Sequence, residues 1–234
     1  MPYAIVTGAT QGIGKAVTDK LLANGCSVAV CARNKEKLSL LEKEWNEKYP
    51  TASVITYNAD LTNKEEVAAF AETVLSNFPQ IDILVNNAGM YLPGNVGDEP
   101  EGLLEMMIGV NLYSAYRLTR HVLPIMKLHA GGHIFNICSI ASLRAYPNGG
   151  SYSISKYALM GFSENLREEL KDQGIRVTAI CPGATYTPSW EGSGVEPSRI
   201  MEAEDVANML WASYVLSAQA NVETIVMRPL KGDL

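Results

Sequence analysis

The run Tyr3-Ala4-Ile5-Val6-Thr7-Gly8-Ala9-Thr10-Gln11-Gly12-Ile13-Gly14 constrains the fold more than any other stretch of the chain. An apolar strand passes through a glycine-rich turn straight into a helical pattern, Lys15 to Ala23, which Asn24-Gly25 stops. A helix that starts at such a turn aims its free N–H groups and positive dipole end at it, and that suits a bound phosphate. In this context Gly8 permits the tight turn, Gly12 lets the backbone approach a pyrophosphate, and Gly14 allows close packing of helix on strand. Any tight strand-to-helix turn favours glycine. Three at this spacing point to a dinucleotide.

A second strand, Ser27 to Cys31, runs into Ala32-Arg33-Asn34. In a dinucleotide-binding unit the end of this strand faces the adenosine ribose, where an acid would take the 2′-hydroxyl. No acid stands there. The Arg33 guanidinium suits a 2′-phosphate, with Lys15 as added positive charge, and NADP is favoured over NAD. A solvated loop arginine is the alternative.

Tyr152 and Lys156 form the second constellation. Residues four apart share a helix face, so phenol and ammonium can address one small volume. A phenol titrates near about 10 in water, and a nearby cation lowers that value. Ser139, thirteen residues upstream, offers a hydroxyl partner, although Ser142 stands close by. A surface tyrosine over a surface lysine would satisfy the same spacing.

Alternation organises the rest. Helical patterns at 35–48, 64–77, 101–128, 152–173 and 204–216 separate short apolar or β-branched runs at 53–57, 83–85, 133–138, 176–180 and 223–227. Pro124 is expected to bend the long 101–128 helix. Strands alternating with helices imply a parallel sheet covered on both faces, with ligands beyond the strands' C-terminal ends. At 234 residues, 1–234 is expected to form one domain with a substantial core. A net charge of −6 without a basic cluster disfavours a nucleic-acid partner. No apolar run approaches a membrane span, and mean hydropathy is +0.01. Cys26, Cys31, Cys138 and Cys181 lack metal-ligand spacing and read as core residues of a reducing cytoplasm. No metal site is expected at His121, His129 and His133.

With Thr7-Gly8-xxx-Gly12-Ile13-Gly14 and Tyr152-xxx-Lys156 in place, the chain resembles the short-chain dehydrogenase/reductase family in its single-domain subgroup. Asn86-Asn87-Ala88-Gly89, Asp60-Leu61, Asn111, Ser139 and Pro182-Gly183 match in order along essentially the whole chain. The resemblance implies a three-layer, doubly wound Rossmann fold with a seven-stranded parallel sheet. It implies an NADP(H)-dependent oxidoreductase, NAD(H) being possible, that interconverts a small carbonyl compound and its alcohol. A catalytic tetrad of Asn111, Ser139, Tyr152 and Lys156 follows from it. Tyr152 would be general acid or base, Ser139 would hydrogen-bond the carbonyl oxygen, Lys156 would hold the nicotinamide ribose and depress the Tyr152 pKa, and Asn111 would position a water. Cofactor contacts would come from Gly8, Thr10, Gln11, Gly12, Ile13, Gly14, Arg33, Asp60, Leu61, Asn87, Ala88, Gly89, Tyr152, Lys156, Pro182, Gly183, Thr185 and Thr187. A homodimer or homotetramer is implied, through helices that carry Ala158, Met160 and Phe162.

Substrate contacts are expected from Met90, Tyr91, Leu92, Leu143 and Tyr146, with Trp190 in a Gly/Ser-rich lid between Thr187 and Ala203. The ending Val222 to Leu230 lacks the Asp-Gly-Gly segment of many 3-oxoacyl-carrier-protein reductases. That departure favours reduction of small ketones or oxidation of β-hydroxy acids. Carrier-protein reduction and a non-catalytic nucleotide sensor remain the alternatives.

Overall fold

A computed structural model describes residues 1–234. Seven strands, β1 (Tyr3–Thr7), β2 (Ser27–Ala32), β3 (Val54–Asn58), β4 (Ile83–Asn86), β5 (Gly132–Ile137), β6 (Ile175–Pro182) and β7 (Thr224–Met227), form one sheet. All pair in parallel, in the order β3-β2-β1-β4-β5-β6-β7. The winding direction reverses between β1 and β4, which opens a crevice at the C-terminal ends of those two strands.

Apolar side chains predominate on the inner strands because both faces of the sheet are covered, with Asn86, His133, Asn136 and Thr178 buried among them; β2 is buried at all six positions. On one face lie α1 (Gly12–Ala23), α2 (Lys35–Lys48) and α7 (Ala203–Tyr214), whose Leu21, Trp45 and Leu210 share a core with Val28 and Val85. On the other lie α3 (Lys64–Asn77), α5 (Ser114–Leu128) and α6 (Gly150–Leu170), whose Phe70, Met126 and Leu166 pack on Ile5, Leu84 and Ile134. The buried Trp45 keeps a partner for its polar edge: its indole N–H donates to Asp19 Oδ1 at 2.6 Å. Two helix starts show side-chain capping: at α2 Asn34 Oδ1 accepts from the Lys37 N–H, and at α3 Asn63 Oδ1 accepts from the Glu65 N–H.

The structure departs from the sequence expectations in three places. The 101–128 region is not one helix bent at Pro124: α4 (Leu103–Ile108) and α5 flank a π-helical turn, Gly109–Tyr113. A π-turn inserts one residue into the ladder, and no proline or glycine pair announces it. Strand β6 continues through Cys181 to Pro182, because Gly183 N–H donates to Met227 O at 2.7 Å and keeps the β6–β7 pairing going. The catalytic-motif helix starts at Gly150 and its last predicted turn, Lys171–Gln173, tightens to a 3₁₀ turn closed by left-handed Gly174. No helix is long and apolar enough to cross a membrane.

Candidate active site

The β1 turn is held from both sides. Gly14 sits so close to it that a methyl at that residue would lie 2.3 Å from Gly8 O and 2.4 Å from Asn87 Nδ2. Asn87 is therefore a fastener. Its Nδ2 donates to Thr7 O at 2.8 Å and to Gly8 O at 3.1 Å, while Thr7 Oγ1 accepts the backbone N–H groups of Asn87 and Ala88, each at 2.9 Å. These bonds join the turns after β1 and β4 across the reversal point. Gly12 takes φ +54°, and its face abuts Thr187 Cγ2. Gln11 caps α1 without a side-chain hydrogen bond, so no side chain competes for the first-turn N–H groups.

The result is a cleft of about 1050 Å³ along the strand ends. Gly8, Thr10, Gln11, Gly12, Ile13 and Gly14 line it at the β1 turn, and Arg33, Asp60 and Leu61 line it beyond the ends of β2 and β3. Asn87, Ala88, Gly89, Ser139, Tyr152, Lys156, Pro182, Gly183, Thr185 and Thr187 also line it, Thr187 lying directly against Gly12. Of the predicted tetrad, Asn111 alone does not line the cleft; it lies in the π-turn and is completely buried. The glycine floor and bare helix start fit a dinucleotide.

Beside Arg33 the expectation for Lys15 is corrected. Its ammonium pairs with Asp19 at 2.7 Å and approaches Glu44 at 3.9 Å, outside the cleft lining. Lys37 takes that place: it lines the cleft with Arg33, and its Nζ donates to Gln11 Oε1 at 3.1 Å. Its signal in the sequence was its position four residues beyond Arg33, in the first turn after the cap. Arg33 itself is exposed, with its carbonyl held by Asn58 Nδ2 at 2.9 Å.

Ser139 caps the 3₁₀ turn Ile140–Ser142, accepting from Ala141 N–H at 3.1 Å. Ser142 Oγ accepts the Ser139 N–H at 3.2 Å, so Ser142 serves the turn and Ser139 faces the cleft. Lys156 is buried and donates from Nζ to Ile137 O at 2.8 Å, which fixes it 5.9 Å from the Tyr152 ring centre. Burial lowers the Lys156 pKa, against the nearby Cys138 and Cys181 sulfurs. The Tyr152 phenol moves opposite to the sequence expectation: burial pushes it up to about 12, opposed by its hydrogen bond with Ser139 and reinforced by Tyr91. Desolvation disfavours the phenolate more than the Ser139 hydrogen bond favours it, and the Lys156 ammonium is directed at a backbone carbonyl.

Asn111 acts beneath this layer. Its Oδ1 accepts the Met90 N–H at 2.8 Å, and its Nδ2 donates to Met90 O at 3.1 Å and to Ser155 Oγ at 2.8 Å. Ser155 Oγ in turn donates to Tyr152 O at 2.7 Å. Both ends of the amide are thus engaged in joining the 90s loop to α6. A second buried chain, invisible in the sequence, runs from Asn86 Nδ2 to Thr119 Oγ1 and Asn136 Oδ1, then from Asn136 Nδ2 to Ser163 Oγ.

Tyr91 meets Tyr152 edge-on at 4.8 Å, and Met90, Tyr146 and Trp190 complete the wall. Leu92 and Leu143, expected in the pocket, point to solvent and do not line it. Glu99 was missed altogether. Its carboxylate accepts the Ser151 N–H at 2.9 Å and the Ser151 hydroxyl, capping α6 one residue before Tyr152 from the same loop that carries Tyr91. Glu99→Ala is expected to lower stability by about 0.5–2 kcal/mol, as loss of a helix cap does, with Glu99→Gln nearer the parent. Chemical unfolding of the three chains checks this; equal midpoints would remove the cap from the account.

A parallel sheet reversing at a glycine turn, with a Ser–Tyr–Lys group at one end of the crevice, defines a dinucleotide-linked class. The chain belongs to the short chain dehydrogenase family, whose model matches residues 2–196. An uncharacterized oxidoreductase of Staphylococcus saprophyticus is 33% identical over 227 residues, 97% of each chain. An alcohol dehydrogenase of Thermococcus sibiricus, solved with 5-hydroxy-NADP, superposes with a TM-score of 0.90 at 26% identity, covering 98% of this chain and 97% of the other. Serine dehydrogenase of Escherichia coli superposes at 0.87 with 30% identity, covering 99% and 100%. The chain is an oxidoreductase of this family.

Proposed function

We propose that the chain interconverts a small carbonyl compound and its alcohol with NADP(H), Tyr152 being the general acid in reduction and the base in oxidation. The observation that carries this is the shared cleft: Ser139, Tyr152 and Lys156 line one end and Arg33 and Lys37 the other. A bound nicotinamide supplies or accepts the hydride. When the carbonyl carbon gains it, the oxygen takes the Tyr152 proton and the alcohol leaves neutral. Ser139 donates a hydrogen bond to the oxygen as its charge grows. Lys156, buried behind Gly89, holds positive charge next to this point and anchors the ribose. Tyr91, Tyr146 and Trp190 wall the substrate end with aromatic surface. An alcohol dehydrogenase bound to an NADP derivative among the structural neighbours supports the cofactor assignment.

The same reading takes residues 1–234 as one catalytic domain working in the cytoplasm. It assembles as a homodimer or homotetramer through α5 and α6, where Tyr116 and Tyr157 stand exposed. The test is NADPH consumption over a panel of ketones, aldehydes and 3-oxoacyl thioesters, with NADH in parallel. Turnover of some member is expected; none across the panel would sink the reading. Arg33→Asp is expected to weaken NADPH binding by about 10- to 100-fold, since a charged hydrogen-bond partner is lost and a repulsive charge gained. NADH affinity should change far less. Equal losses for the two nucleotides, by fluorescence titration, would rule out a 2′-phosphate contact.

A further inference from the structure

The segment that follows β7 returns to the cleft beside Gly183 and Arg144 and places a carboxylate in its lining. Asp233 lines the cleft, and a methyl built on Gly183 would stand 3.3 Å from its Oδ1. Two guanidinium groups meet that carboxylate on one oxygen. Arg144 Nη2 lies 3.5 Å from Oδ2, and Arg228 Nη1 pairs with the same atom. Oδ1 is buried and has no hydrogen-bond partner. Arg199, from the turn that closes the lid, holds the segment by its backbone, donating to Gly232 O at 3.0 Å and Asp233 O at 3.2 Å.

This is an anion site with an ill-fitting occupant. Arginine prefers to fork onto both oxygens of a carboxylate, and a buried carboxylate oxygen without a donor is unfavourable. Asp233 does neither well: both arginines crowd one oxygen while the other is orphaned. Arg144 comes from the loop that starts at Ser139, and its side chain is 71% exposed, so it is loosely held and can turn. Apart from Lys156, it is the cationic side chain lining the catalytic end, since Arg33 and Lys37 stand at the adenosine end.

We infer that Arg144 is a specificity residue that binds the carboxylate of the substrate, and that Asp233 stands in for that carboxylate in the free protein. The substrate class is then an oxo acid and the hydroxy acid it becomes. This deepens the carbonyl–alcohol reading above and rests on it. The acid's carboxylate takes the forked contact on Arg144 while its carbonyl faces Ser139 and Tyr152. Asp233 moves off, and the lid it is tied to through Arg199 moves with it. No bond is made or broken in the exchange.

The test compares matched pairs, short 3-oxo acids and semialdehyde acids against their methyl esters, by NADPH oxidation. The native chain is expected to prefer each acid in kcat/KM. Arg144→Met should lower the acid-to-ester ratio by about 10- to 100-fold, chiefly through KM for the acid, with Arg144→Lys in between. Asp233→Asn should lower KM for the acids, because the competing internal carboxylate is gone. Because each ratio is taken on one protein sample, a loss of folded protein cancels from it. Esters turned over as well as acids, or a ratio that Arg144→Met leaves unchanged, would overturn the inference while the carbonyl–alcohol reading stands. Failure of both acids and esters alongside turnover of other carbonyls would also overturn it. Failure of every carbonyl would instead remove the reading on which it rests.

Discussion

Tyr152→Phe is expected to lower kcat for carbonyl reduction by about 10²- to 10⁴-fold, the range a positioned general acid contributes. The ring, its edge-on contact with Tyr91 and its place on α6 all survive the change, so the loss should fall on kcat with the far-UV spectrum of the fold retained. The pH dependence carries a sign. With its pKa pushed up to about 12, chiefly by burial, the phenol is protonated throughout the neutral range and ready to donate. Reduction is then insensitive to this group until strongly alkaline pH. Oxidation needs the phenolate and should rise with pH, by up to tenfold per unit while other steps stay fast. The same shift bears on stability: the contribution from the buried neutral phenol is whole below about pH 10, its unfolded value, and is lost as pH rises toward 12. Steady-state rates in both directions for the native chain and Tyr152→Phe test this. A variant that reduces its substrate as fast as the parent would falsify the assignment of the proton donor.

Gly14→Ala should be the most damaging single-methyl change in the nucleotide turn. The added carbon would meet Gly8 O at 2.3 Å and Asn87 Nδ2 at 2.4 Å. The first belongs to the backbone and the second is tied by two hydrogen bonds to Thr7 and Gly8, so neither can yield without opening the junction of the β1 and β4 turns. Overpacking of this kind costs about 1–3 kcal/mol, which for a chain of this length is a melting temperature lower by roughly 2–12 °C. NADPH affinity should fall with it, by about tenfold or more, because the proposed function makes the displaced turn the phosphate floor. Thermal melts with and without NADPH measure both effects. If Gly14→Ala melted with the parent and gained the same protection from nucleotide, the tight approach would not be a requirement of the turn.

The predicted site was legible to different depths. The glycine turn, Arg33, Ser139, Tyr152 and Lys156 were readable because each has a fixed place relative to a strand end, and strand ends could be found from apolar runs. Lys15 and Lys37 were equivalent as charges in the sequence. Only helix phase and an acid at the right distance, Asp19, separated them. Leu92 and Leu143 failed for a related reason. Loop residues have no periodicity to orient them, and both turned out to face solvent. Asn111 was found, but its surroundings were not, since a π-turn leaves no mark on composition and yet decides that the amide meets Met90 and Ser155.

Local chemistry, then, determined the order of elements, the parallel sheet and the identities of the residues at its C-terminal edge, because hydrophobic period and glycine spacing act over a few neighbouring residues. The tertiary structure decided what those residues experience. It raised the Tyr152 pKa where a through-helix view of Lys156 had lowered it, since desolvation depends on every element packed around the phenol. It also brought Asp233 to Arg144, 89 residues away in the chain. Such long-range pairings are settled by how the sheet and its returning segments close in space, and no local pattern records them.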